Sequence, residues 1–297
     1  MRYRFCTKDE AEAALENPHG VSCVISFQTH SQRVLVIIPA YNEQASIRWV
    51  VNLVRKTVPR ADVLVIDDGS TDDTLRQARL AGAFVVRHPF NLGIGGAVQT
   101  GLKFARQEDY DVVMRLDGDG QHDPHDILTF LASVRSQRAD VVIGSRFLHP
   151  LGDVRLPVLR LLGVRLFALE VRLLTGAPAT DTTSGLMGMN RRAVEVLVNH
   201  IPQDYPEVES RILLHKAGLT TLELPTRMHA RRAGVSSINS WRSIYYAFKV
   251  TLAVLVAAIK DTPVLTTEIP DARADRAALH SYSLQPHLGG RDRAVDP

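Results

Sequence analysis

Val34-Leu35-Val36-Ile37-Ile38-Pro39 is five apolar residues in a row, four of them β-branched, closed by a proline. A run of that length without polar alternation predicts a strand buried on both faces of a parallel sheet. Pro39 has no amide hydrogen to extend the ladder and marks its end. Beyond it, Ser46 to Thr57 spaces Ile47, Val50, Val51 and Val54 at helical intervals. The same alternation then repeats. Val63-Leu64-Val65-Ile66 reads as a second strand, followed by a helix from about Asp72 with Ser70 or Thr71 as its N-cap. Ala83 to Val86 and Asp111 to Leu116 read as strands three and four, with helices over Gly95 to Gln107 and Pro124 to Val134. Asp140 to Ile143 reads as a fifth strand. Such alternation implies right-handed βαβ crossovers, so the expected class is α/β: a mostly parallel sheet flanked by helices. Ligands of such sheets sit outside the carboxyl ends of the strands.

After Gly144 the pattern changes. Leu156 to Leu174 is apolar at helical spacing but punctuated by Arg155, Arg160, Arg165 and Arg172. Further helices are expected over Arg191 to Val198 and Glu207 to Ala217, with a strand near Leu222 to Leu224.

The 297 residues are 45% hydrophobic and 23% charged, an ordinary globular composition that excludes collagen-like and wholly disordered chains. A net charge of +3 gives no field of the kind nucleic-acid binding requires, so no nucleic-acid partner is expected. Only six of the 35 basic residues are lysine, leaving 29 arginines, whose planar forks suit phosphate. Codon bias alone would also produce that excess. Cys6 and Cys23 form neither a disulfide framework nor a metal spacing, which fits a reducing compartment. The first residues lack a signal-peptide core, and no stretch reaches the 18 or more apolar residues of a clear membrane span.

Chemistry concentrates where strands end. Leu116-Asp117-Gly118-Asp119-Gly120-Gln121-His122-Asp123 puts two carboxylates at i and i+2 after a buried strand, where both can reach one hard cation. Counted as a calcium loop from Asp117, its sixth and twelfth positions are His122 and Leu128 rather than Gly and Glu, which rules that loop out. Zinc through His122 and His125 is the other metal reading, but hard oxygen ligands predominate and favour Mg²⁺ or Mn²⁺. Asp67-Asp68-Gly69-Ser70 ends another strand, and carboxylates massed in one crevice repel unless a cation or donors compensate. Asn91-Leu92-Gly93-Ile94-Gly95-Gly96 meets only part of the dinucleotide fingerprint and follows the third strand, so it points to tight packing near a ligand rather than to nicotinamide.

Val36 to Glu43, Val65 to Asp72, Asn91-Leu92-Gly93 and Asp117 to Gln121 stand in the order seen in family 2 glycosyltransferases of the GT-A (Rossmann-like) fold, and the resemblance covers roughly Arg33 to Leu224. Through Ile143-Gly144-Ser145-Arg146, Asp181-Thr182-Thr183-Ser184-Gly185, Tyr205-Pro206-Glu207 and Arg231 to Ser236 the chain most resembles the polyprenyl- or dolichyl-phosphate sugar synthases. That resemblance implies a nucleotide-sugar donor (UDP- or GDP-linked), a polyprenyl-phosphate acceptor and an inverting, metal-dependent hexosyl transfer serving cell-envelope glycan synthesis. It implies Pro39, Tyr41, Glu43, Asp67 and Asp68 around the nucleotide, and Asp117, Asp119 and Gln121 around Mg²⁺ or Mn²⁺. It also implies Asp119, Arg146, Arg160 and Arg231 in catalysis, with Asp117 and Ser236 contacting substrate. Ser237 stands where relatives often carry lysine.

The expected organisation is an N-terminal extension over 1–32, a GT-A domain over 33–228, a phosphate-binding loop and membrane-associated amphipathic helix over 229–260, and a disordered tail over 261–297. Ile244 to Ile259, 16 residues, is too short to span a bilayer alone; with Trp241, Tyr245, Tyr246, Arg242 and Lys249 it suits an interfacial helix. Peripheral attachment at the cytoplasmic face of the membrane follows, with a small membrane protein as a further expected partner. The main rival is a family 2 enzyme with a hydroxyl acceptor, using Glu207 or Glu209 as base. A sugar nucleotidyltransferase would want a Gly- and Arg-rich loop after the first strand, which Pro39 to Glu43 lacks. A non-catalytic nucleotide-binding protein would not need Asp117, Asp119 and Gln121 intact.

Overall fold

The computed structural model describes residues 32–148, 158–202, 206–229 and 240–259, with the backbone alone at 158–160, 240–248 and 257. Strands β1 (Val34–Ala40), β2 (Asp62–Asp67), β3 (Phe84–Arg87), β4 (Val112–Arg115), β5 (Val141–Ser145), β6 (Met187–Asn190) and β7 (Thr221–Pro225) form a seven-stranded sheet in the order β3-β2-β1-β4-β6-β5-β7. The helices are α1 (Ile47–Thr57), α2 (Thr74–Leu80), α3 (Gly93–Gln107), α4 (Asp126–Arg135), α5 (Val158–Thr175), α6 (Arg191–His200), α7 (Pro206–Lys216) and α8 (Ser240–Ile259). β1 runs parallel to both β2 and β4. It lies where the strand order reverses, which opens a crevice at its carboxyl end.

Both faces of β1 are covered, which explains its unbroken apolar run. Val36 and Ile38 join a cluster with Val50 and Val54 of α1 and Phe130 of α4. Leu35 and Ile37 join the opposite cluster, with Leu102 of α3 and Leu197 of α6. All four strand side chains are fully buried.

The mostly parallel sheet agrees with expectation, and the differences have local causes. β6 was not anticipated: Met187-Gly188-Met189-Asn190 is short and has no β-branched residue, yet it pairs antiparallel with both β4 and β5. A Cβ at Gly188 would stand 3.0 Å from the Met114 sulfur, so the small residue lets β6 close on β4. Neither Ser70 nor Thr71 caps α2. The Ser70 hydroxyl instead accepts from the Asn42 amide (3.0 Å), and Asp72 takes the amide of Thr74, the first helical residue (3.0 Å). α8 starts at Ser240, four residues before Ile244, and has 20 residues. No described helix is long and apolar enough to cross a membrane. α5, α7 and α8 pack around Phe167, Val171, Ile212, Val250 and Val254. The expectations for residues 1–31 and 261–297 lie outside the described residues.

Candidate active site

A cleft of about 450 Å³ opens at the carboxyl ends of β1, β2 and β4 and is closed on one side by the start of α3. Pro39, Tyr41, Glu43, Asp68, Asp117 and Asp119, all expected site residues, line it together.

Asp68 follows β2 directly and is 4% exposed. Its Oδ1 accepts from the Leu92 amide (2.9 Å) and its Oδ2 from the Gly93 amide (2.9 Å), so a carboxylate 25 residues away caps α3 together with Asn91, whose Oδ1 shares the Gly93 amide (2.9 Å). Gly93 takes a positive φ of 83°, which suits glycine and turns its amide toward Asp68. His88, at the end of β3, adds a third donor, with Nδ1 2.7 Å from Oδ1.

Asp117 follows β4. Its Oδ2 meets His122 Nε2 at 3.3 Å and its Oδ1 meets Arg115 Nη2 at 3.5 Å. Burial alone would raise this carboxyl, but the His122 hydrogen bond and the Arg115 charge outweigh it and hold it well below the usual carboxylate range. Arg115 is 2% exposed and donates from the same nitrogen to Glu207 Oε1 (2.6 Å), so one guanidinium separates two cleft-lining carboxylates that would otherwise repel. Asp119, 6% exposed, accepts from the Gln121 amide at 3.0 Å.

The other expected residues lie elsewhere. Asp67 is fully buried and serves the turn: it accepts from the Ser70 amide (3.0 Å) and faces Arg87 (3.4 Å). Gln121 donates from its side chain to the His229 carbonyl (3.3 Å). Arg146 does not line the cleft; its guanidinium forks onto Asp181 (2.6 and 2.7 Å) and donates to the Thr183 hydroxyl (2.6 Å). The Asp181 to Gly185 loop is thereby held from one side, and Arg211 holds the Asp181 carbonyl from the other (2.6 Å). The Arg160 side chain, Arg231 and Ser236 lie outside the described residues.

Arg115, His88 and Gly185 escaped the sequence reading. A charged residue inside Val112-Val113-Met114-Arg115-Leu116 was the available signal for Arg115. For Gly185 it was its place in the Asp181 to Gly185 motif, which carried no role for the glycine: its Cα abuts the Asp117 carboxylate so closely that a Cβ would overlap both oxygens.

Residues 35–198 match the model of glycosyl transferase family 2. The chain belongs to this family. Among similar proteins, an undecaprenyl-phosphate mannosyltransferase of Micrococcus luteus is 31% identical over 70% of this chain and 88% of its own. A UDP-N-acetylglucosamine–dolichyl-phosphate N-acetylglucosaminyltransferase of Methanococcus voltae is 29% identical over 65% and 84%. A crystal structure of glucosyl-3-phosphoglycerate synthase from Mycobacterium tuberculosis, in complex with Mn²⁺, UDP and glucosyl-3-phosphoglycerate, covers 93% of this chain and 98% of its own, with a TM-score of 0.61 at 19% identity. At that identity the likeness carries the fold alone, and the fold is the expected GT-A type. The family 2 protein described here is therefore a glycosyltransferase, with relatives named for polyprenyl-phosphate acceptors.

Proposed function

We propose that this protein transfers a hexose from a UDP- or GDP-sugar to a polyprenyl phosphate, with inversion, at the cytoplasmic face of a membrane. The observation that carries the reading is the meeting of Asp68, Asp117 and Asp119 in one cleft at the reversal of strand order. Relatives of two different sugar specificities share a lipid-phosphate acceptor in their names, which supports that acceptor class rather than any one sugar.

Asp117 and Asp119 are the residues that would hold Mg²⁺ or Mn²⁺. Among the described residues no group of three or more His, Cys, Asp and Glu side chains is placed to hold an ion unaided. This suits a cation that takes one or two carboxylates and completes its shell with substrate phosphate and water. When bound there, the ion would neutralise the departing nucleoside diphosphate as a Lewis acid. Tyr41, Glu43 and Pro39 line the cleft beside Asp68, where the base and ribose would sit. Arg115 keeps Asp117 ionised and aimed. A lipid phosphate is already anionic near neutral pH, so attack at the anomeric carbon needs positioning and charge compensation rather than a strong base. Arg146, Arg160 and Arg231, with Ser236, are proposed to engage the donor and acceptor phosphates, and the domain limits at 33–228 and 229–260 are proposed with them.

Asp117→Asn and Asp119→Asn are each expected to abolish sugar transfer into extracted lipid while leaving the thermal unfolding midpoint within a few degrees. Retained transfer in either variant would sink the metal assignment. The hydroxyl-acceptor reading is favoured by one observation, the presence of Glu207 in the cleft lining. Its Oε1 is already engaged by Arg115 (2.6 Å), and Glu207→Gln discriminates: full transfer to polyprenyl phosphate excludes a base at this position.

A further inference from the structure

We propose that His88 is a positioning residue for nucleotide binding, acting through Asp68; the inference rests on the nucleotide reading of the cleft. A carboxylate offers about four acceptor sites. On Asp68 three are taken, by the Leu92 amide and His88 Nδ1 on Oδ1 and by the Gly93 amide on Oδ2. The fourth, on Oδ2, belongs to a residue that lines the cleft. It is the acceptor available to a base N–H or a ribose hydroxyl.

The two backbone donors come from consecutive residues at the start of α3, and the Gly93 amide is divided between Asp68 Oδ2 and Asn91 Oδ1 (2.9 Å each). His88 supplies a further constraint from a different element. A carboxylate cannot donate, so the His88 proton facing it sits on Nδ1. The ring is held at its other end, where Nε2 lies 2.9 Å from the Thr100 hydroxyl on α3. Thr100 is anchored in turn, with its hydroxyl 3.1 Å from the Gly96 carbonyl. His88 is 7% exposed and does not line the cleft, so it reaches substrate only through Asp68. β3, α3 and the β2 end are thereby joined at one carboxylate.

The test is calorimetric titration of the full chain with UDP and with GDP, each with Mn²⁺, alongside thermal unfolding. His88→Leu removes the donor and is expected to weaken binding of the preferred nucleotide about ten- to a hundredfold, the scale of a hydrogen bond to a charged group. His88→Asn can return an N–H near the Nδ1 position and is expected to recover most of that loss. Thr100→Val, which frees the ring without touching Asp68, gives a smaller loss and guards against a misfolded leucine variant. With Asp68→Ala, adding His88→Leu is expected to cost no further affinity. Native-like binding by His88→Leu, an equal loss in Leu and Asn, or additive losses with Asp68→Ala would overturn the proposal. Undiminished binding by Asp68→Ala alone would overturn it together with the nucleotide reading, and so marks the two failures apart.

Discussion

Asp117 is confined on three sides, by Arg115, His122 and the backbone of Gly185. The third wall is the most sensitive, because a methyl group there meets the carboxylate itself. Gly185→Ala is expected to lower kcat at least about a hundredfold, the cost of an ångström of misplacement at a reacting centre. Unfolding should shift by no more than a typical surface-loop substitution, and steady-state kinetics beside a melting curve checks both. Near-native kcat would show that the loop yields freely. The sequence exposed Asp117, Asp119 and Asp68 because each sits in a dense local motif. It hid their supports: Arg115 meets Glu207 92 residues away and His88 meets Asp68 20 residues away, and nothing local marks such pairs. Arg146 is a further case. The family resemblance implies it in catalysis, and its pairing with Asp181, 35 residues away, was not legible in Ile143-Gly144-Ser145-Arg146.

Elements were legible in proportion to their burial pattern. β1, β2 and β5 carry apolar runs because helices cover them, and α1 shows its periodic face. β6 does not, since it is specified by its neighbours rather than by its own residues. One side chain fixes that half of the sheet. Asp140, just before β5, accepts from the amide and hydroxyl of Thr220 (2.8 and 2.9 Å) at the start of β7 and from Asn190 (2.8 Å) at the end of β6. Burial acts to raise its carboxyl, but the Thr220 amide, with Asn190, the Thr220 hydroxyl and Arg192, lowers it below the ordinary value. A lowered native pKa contributes stability that is present above the unfolded value of about 3.9 and is lost as pH falls through the native one. Asp140→Asn is therefore expected to cost about 1–3 kcal/mol near pH 7. The gap between variant and native protein should narrow as pH falls below about 4, where the unfolded carboxyl becomes neutral, and close as pH falls through the lowered native value, where the folded carboxyl does too. Denaturant unfolding at a series of pH values checks this; a gap independent of pH would show that charge at Asp140 contributes nothing.

At the scale of the whole molecule, α5 and α8 face outward with the wrong chemistry for water. Leu162, Leu166, Leu169 and Leu173 repeat at helical spacing on the side of α5 opposite its buried Val164, Phe167 and Val171, and Leu173 is 76% exposed. Leu252, Leu255, Val256 and Ile259 do the same on α8, which packs against α5, and Ile259 is 84% exposed. A surface helix normally turns such a stripe toward the core. Arg165 and Arg172 are exposed beside the α5 leucines, the pairing of apolar stripe and cations that suits the boundary of an anionic bilayer. A lipid-borne acceptor would be met at that boundary. Leu166→Ser, Leu169→Ser and Leu173→Ser combined remove roughly 1 kcal/mol of burial each and should lower partitioning onto vesicles about a hundredfold, whatever the headgroup. Arg165→Gln with Arg172→Gln should lower it by about tenfold or more on anionic vesicles only, with the effect fading as salt rises. Vesicle co-sedimentation reads both. Transfer to a short, water-soluble polyprenyl phosphate should survive both changes while transfer to the bilayer-embedded acceptor falls, because the cleft is untouched. Equal loss on soluble and embedded acceptors would place these leucines in the fold of the enzyme rather than on its lipid-facing side.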